Sequence, residues 1–257
     1  MKRNLVLAIV GLFAFAAPVM ADILSDTPQL ITGTVAGGGG IVPRSPLVYD
    51  NTQGALFSTG SSPRSHECDD GSFGPQGGAQ TIDAINVGFV VATANTAFDI
   101  VVGFYSTMTA NASPVNSGFV AGFRISEPAT LAAGAYQTGL LSVTPFALPA
   151  GSGGSSTPFG NWGFEYYFLA PGSSSVVSTA ATGLFAGGPQ ALGSSANVYW
   201  RDANSNFNCE DPGEERSFGT PPTTLLANLY LQLTGTPEPG TLGLLALGAL
   251  MMIKRRR

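Results

Sequence analysis

Apolar and polar residues alternate with a period of two in five long stretches of the chain. Ile85, Val87, Phe89 and Val91 alternate with Asn86, Gly88 and Val90, and Phe98, Ile100, Val102 and Phe104 alternate with Asp99, Gly103 and Tyr105. The beat returns at Phe119, Ala121, Phe123 and Ile125, at Trp162, Phe164, Tyr166 and Phe168, and at Leu229, Leu231 and Leu233, where Asn228, Tyr230 and Gln232 are expected to face outward. Successive side chains of a strand point to opposite faces, so each stretch predicts a β-strand with one apolar face. Shorter candidates lie at 31–35, 47–49, 55–58, 140–146 and 197–201. Clusters of Gly, Ser, Pro and Asn separate them, and no stretch between 22 and 236 carries a sustained helical stripe with caps. Roughly ten short strands, each with one apolar face, are satisfied by packing two antiparallel sheets face to face. The expectation is an all-β fold, an antiparallel β-sandwich of the jelly-roll or Ig-like kind. The run Gly151 to Ser156 reads as a linker or a long surface loop.

The two ends break this pattern. Lys2 and Arg3 precede an apolar run at 5–17, then Pro18 and Val19-Met20-Ala21, which reads as a secretory signal peptide over 1–21 cleaved after Ala21. At the other end Pro237-Glu238-Pro239 precedes an apolar stretch at 241–253 and Lys254-Arg255-Arg256-Arg257. As a helix that stretch is ~20 Å long against a hydrocarbon core of ~30 Å, so it anchors transiently but spans poorly. The four cations resist translocation, which leaves 22–236 on the far side of the membrane.

Tripeptide, apolar helix and basic cluster together resemble the PEP-CTERM sorting signal of Gram-negative bacteria. The resemblance covers 237–257. It implies that a membrane-embedded exosortase recognises Pro237, Glu238 and Pro239, removes the tail, and delivers the protein to the cell surface or extracellular matrix.

Composition narrows the partners of the 22–236 domain. It holds 15 acidic residues against five arginines (Arg44, Arg64, Arg124, Arg201 and Arg216) and no lysine. Nucleic acid is therefore not an expected partner, because phosphate affinity needs clustered cations. With 34 Gly and 18 Pro in the whole chain, those two residues fall below the ~25–30% of disordered low-complexity chains, so an ordered, turn-rich fold is expected.

Cys68 and Cys209 are the two cysteines. An even count in an oxidising compartment implies a disulfide, and the alternative is a reactive thiol beside His66. The segments around them are read as polar loops that the bridge brings together. Asp202, Asn204, Asn206 and Asn208, with Asp69 or Asp70, then offer the alternating oxygens that a structural calcium ion needs. Phe207 stands where an EF-hand loop needs glycine and Gly213 where it needs glutamate, and the other reading is a solvated acidic loop.

No catalytic constellation emerges. The single histidine, His66, reads as a loop residue, no G-x-S-x-G elbow is present, and Glu127, Glu165 and Asp99 read as outward-facing strand polars. Trp162, Tyr166, Tyr167, Tyr199 and Trp200 form either core or a sugar-stacking platform. The resulting expectation is an exported, non-enzymatic surface or matrix protein. Signal peptidase and exosortase would process it, exopolysaccharide would be its surrounding partner, and its contact with the membrane would run through the tail before cleavage. The alternatives are a carbohydrate-binding module, with or without calcium, and a secreted hydrolase.

Overall fold

A computed structural model describes residues 22–23, 29–30, 34–35, 45–58, 66–73, 78–92, 96–108, 118–151, 161–174, 181–202, 214–217 and 226–238. The 1–21 segment read as a signal peptide, Pro239 and the 241–257 segment lie outside them. No helix among the described residues is long and apolar enough to cross a membrane.

The described fold is all-β. In chain order the strands are β1 Asp22–Ile23, β2 Gln29–Leu30, β3 Thr34–Val35, β4 Leu47–Asn51, β5 Leu56–Ser58, β6 His66–Gly71, β7 Gln80–Val91, β8 Thr96–Tyr105 and β9 Phe119–Leu131. They continue with β10 Gly134–Gln137, β11 Leu141–Leu148, β12 Trp162–Leu169, β13 Ala181–Gly183, β14 Phe185–Ala186, β15 Tyr199–Arg201, β16 Glu215–Arg216, β17 Asn228–Leu229 and β18 Leu231–Pro237. One sheet runs β16-β15-β6-β12-β8-β9-β3. A second runs β2-β10-β7-β18-β4, with β11 and β13 also paired to β7, and a small third sheet runs β1-β5-β14-β17. Pairing is antiparallel except where β10 meets β2.

The five alternating stretches become β7, β8, β9, β12 and the β17–β18 run, and their apolar faces meet. Phe89 of β7 packs edge-on against Phe98 of β8 at 5.6 Å, Phe104 of β8 against Phe146 of β11 at 4.9 Å, and Tyr49 of β4 against Trp162 of β12 at 5.0 Å. Each fully buried large side chain of this kind contributes about 1.5–3 kcal/mol, so the core supplies the main driving force. Strands on either side of Gly151 belong to this same core, and the rest of the run read as a linker or loop, 152–156, lies outside the described residues.

Several expectations are corrected. Asn228 and Tyr230 do not face solvent: both are buried, because Leu56, Val90, Ala135, Leu184, Ala186 and Tyr230 form a second small core on the back of β7. The sequence-read domain ends at 236, whereas β18 pairs through Pro237 with Gln80, and the Glu238 amide donates to the Ala79 carbonyl at 3.0 Å. The largest departure is 66–71. Read as a polar loop, it is β6, buried along its whole length between β12 and β15.

This polar strand survives burial because its side chains find partners in both directions. Glu67 and Asp69 project between the sheets. Glu67 Oε1 accepts from the Thr182 hydroxyl at 3.0 Å and Oε2 from the Gly183 amide. Asp69 Oδ2 accepts from the Leu229 amide at 2.7 Å and Oδ1 from the Asp70 amide at 2.8 Å. Gly183 has to be glycine, since a Cβ there would stand 2.7 Å from Tyr166 Oη and collide with the Glu67 carboxyl. Burial raises Glu67 to about 7, against hydrogen bonds from Gly183 and Thr182 and the charges of Arg201 and His66, which lower it. Burial first, and then the Asp70 charge, raises Asp69 well above its ordinary value.

The sign of the pH dependence follows. Native Glu67 keeps a proton that the unfolded chain, with an ordinary value of 4.5, releases. Stability is therefore lost as pH rises from about 4.5 through about 7, by on the order of 3 kcal/mol from this group. Asp69 and Asp70 act in the same direction. Urea midpoints should be higher at about pH 5 than at about pH 8, and Glu67→Gln, neutral at both, should narrow the gap. A midpoint that climbs with pH over this window contradicts the assignment.

Candidate functional site

The other face of β6 carries His66, Cys68 and Asp70, and register decides what they meet. Tyr167 of β12 stands opposite His66, and Glu165 opposite Cys68. Gly163 and Gly103 of β12 and β8 lie opposite Tyr105 and Glu165 in turn. Glu165 lies over the β8 backbone because position 103 has no side chain: a Cβ there would stand 2.8 Å from Glu165 Oε1. Its carboxyl is then shared, Oε1 accepting from the Tyr105 hydroxyl and Oε2 from His66 Nε2 at 2.7 Å.

On the far side of the imidazole, Asp202 Oδ2 stands 3.6 Å from Nδ1, an ion-pair distance rather than a hydrogen bond. Burial alone would lower His66, but Asp202 and Glu165 outweigh it and hold the ring as an imidazolium, with a value of about 9. The result is a buried carboxylate, imidazolium and carboxylate in line, with the phenol of Tyr105 closing one end.

These groups floor a pocket of about 380 Å³ lined by His66, Tyr105, Phe119, Glu165, Tyr167, Leu169 and Ser174. One wall is the turn after β12, fixed by an ion pair on the same face. Arg124 Nε donates to Asp99 Oδ2 at 2.6 Å and Nη2 to the carbonyls of Ala170 and Ser173, while the Gly172 amide donates to the same Asp99 oxygen at 2.9 Å.

The structure places the sequence-named residues as follows. Asp70 accepts from Asn161 Nδ2 and from the Ala196 amide at 3.0 Å, so its oxygens, like those of Asp69, already serve protein donors. Asp202 faces His66. Asn204, Asn206, Asn208 and Cys209 lie outside the described residues. Cys68 carries no free thiol, and it packs with Met108 and Trp200. Ligand atoms of His66, Cys68 and Glu165 fall within 4.8 Å of one another.

Of the three carboxylates read as outward polars, Asp99 and Glu165 are buried. Glu165 alone of them lines the pocket, and the side chain of Glu127 is outside the described set. His66 is a strand residue, not a loop residue. Trp162, Tyr166, Tyr199 and Trp200 are core, at most 1% exposed, and Tyr167 is the one of the five that reaches the pocket. No protein-family model matches the chain, and no curated protein or solved structure is detectably similar to it.

His66 is the single histidine of the sequence, so its titration is read without assignment by the imidazole C–H resonances. The midpoint should fall near 9 rather than at the ordinary 6.5, and Asp202→Asn should lower it. Because the native value is the higher one, the associated stability is complete below about 6.5 and lost as pH rises through about 9. A midpoint near 6.5 in the folded protein would remove the ion-pair reading.

Proposed function

We propose that the protein is an exported, non-enzymatic component of the cell surface or extracellular matrix, built on a jelly-roll or Ig-like sandwich and released from a C-terminal sorting segment. The observation that carries the reading is the order of features in the sequence: a leader-like start, then Pro237-Glu238-Pro239, an apolar run and a basic cluster. The fold is compatible with it. The last strand of the described fold takes in the first proline of the tripeptide, and the Glu238 amide still bonds the Ala79 carbonyl, so the proposed sorting segment overlaps the end of the sheet by two residues. Signal peptidase and an exosortase are the processing partners this requires, and exopolysaccharide is the surrounding medium.

In the pocket floor a histidine held as an imidazolium between two carboxylates has no lone pair to accept a proton near neutral pH. The carbohydrate-binding reading, as tied to the five sequence-named aromatics, loses four of them to the core. The proposal retains a Cys68–Cys209 bridge, which restricts the unfolded chain by on the order of 4 kcal/mol in the entropy model for a loop of about 140 residues. Structural calcium is retained for Asn204, Asn206 and Asn208 alone, since Asp69 and Asp70 serve protein donors and Asp202 faces His66.

Two measurements test this. The intact mass of protein released from cells should correspond to a species lacking both 1–21 and the basic tail, and Glu238→Ala should leave a tail-bearing precursor in the membrane fraction. Released protein that still carries Lys254 to Arg257 sinks the sorting idea. Alkylation of the folded protein without reductant should label neither Cys68 nor Cys209, and labelling of both would show that the bridge is wrong.

A further inference from the structure

We propose that the pocket between β12, β8 and the start of β9 binds a neutral polyhydroxylated ring of the pyranose type, with Glu165 accepting its hydroxyls and Phe119 and Tyr167 packing against its C–H face. The inference is independent of export and sorting, because it rests on the geometry of this pocket alone.

The floor supplies acceptors. A carboxylate offers about four lone-pair sites. Here the protein takes one at Oε1, from the Tyr105 hydroxyl, and one at Oε2, from His66 Nε2. The Glu165 side chain keeps 10% of its surface open and lines the pocket, which puts a carboxylate with lone pairs to spare beside a ligand seated there. A sugar edge presents hydroxyl donors in pairs, which is the complement of two adjacent acceptor oxygens.

The rim supplies an apolar surface. Phe119 is 60% exposed, the most exposed of the large hydrophobic side chains among the described residues, and it is braced edge-on against Tyr105 at 5.7 Å. Across the floor Tyr167 is held edge-on to His66 at 5.4 Å. An aromatic left open to water beside a hydrogen-bonding floor suits a ligand with one polar edge and one apolar face.

Charge selects against the other ligand classes. The carboxylate facing the pocket is matched by the imidazolium, and Asp202, which carries the remaining charge, lies behind that ring and is itself buried. Arg124, which anchors the turn after β12, is matched by Asp99. Among the described residues, an ammonium or an anion entering the pocket therefore meets no unmatched opposite charge and loses its hydration, whereas a neutral ring loses little. At about 380 Å³ the pocket lies near the small end of the ~300–1,000 Å³ range of ligand sites, with room for a small ring system.

The test is saturation-transfer NMR on the full chain with the methyl glycosides of glucose, galactose and mannose, using choline and acetate as charged controls. At least one glycoside should receive saturation at its ring protons at millimolar concentration, and neither control should. Phe119→Ala, a change at an exposed position, should weaken that binding by about tenfold, equivalent to ~1.4 kcal/mol. Glu165→Gln, which leaves the ring surface intact, should weaken it as well, and thermal melts establish that each variant is folded. The proposal is overturned if no glycoside receives saturation from folded wild-type protein. It is equally overturned if binding is unchanged in both variants, which would place the sugar elsewhere, or if choline or acetate binds in preference.

Discussion

The fold depends on how a strand of charged residues is buried. β6 reads His-Glu-Cys-Asp-Asp-Gly and is less than 9% exposed at every position, an arrangement that costs several kcal/mol for each unpartnered polar group. It holds because each carboxyl reaches donors contributed by a different element: Thr182 and Gly183 for Glu67, Leu229 for Asp69, Asn161 and Ala196 for Asp70. Most of those donors are backbone amides whose positions are set by other strands, so the polar interactions of β6 work only once the sheets have closed around it. Apolar packing supplies the driving force, and these bonds specify which closed arrangement results.

The two faces of β6 do different jobs. Its inward residues tie its own sheet to β13 and β17. Its outward residues join Glu165 and Tyr105 in a cluster that leaves aromatic rings at the rim. The shape of that cluster comes from what is missing as well as from what is present, because Gly103 lets Glu165 lie flat and so leaves space above it. Rigid strands on three sides and an anchored turn on the fourth give a preformed recess, the condition under which weak individual contacts add up to useful affinity.

The proposed export and the proposed recognition make compatible demands on such a molecule. A domain working outside the cell gains from a core rich in buried aromatics and from few exposed cations. It also gains from acidic groups placed where their protonation favours the folded state, since the raised values of Glu67, Asp69 and Asp70 make the structure most secure on the acid side of neutrality. Phe119 is then an exception that calls for a role, since it is the most exposed large hydrophobic residue among the described ones and stands beside a recess.

The sequence by itself determined the class of the fold and most of its long strands. The period-two beat of β7, β8, β9, β12 and the β17–β18 run is a local property, written by one apolar face per strand, and Trp162 and Tyr166 lie on the apolar face of β12 for the same reason, whereas the burial of the adjacent Tyr199 and Trp200 was decided by packing on both sides of β15. It also carried the leader-like and sorting-like ends, because those are linear signals. It did not reveal β6, whose polar composition argues for a loop on any local rule. It did not bring His66, Tyr105 and Glu165 together either, since they are 60 to 99 residues apart in pairs with Glu165. Only strand register does that. Which carboxylates are buried, which proton is held and where a recess opens are consequences of long-range pairing, and a single sequence encodes that pairing without displaying it.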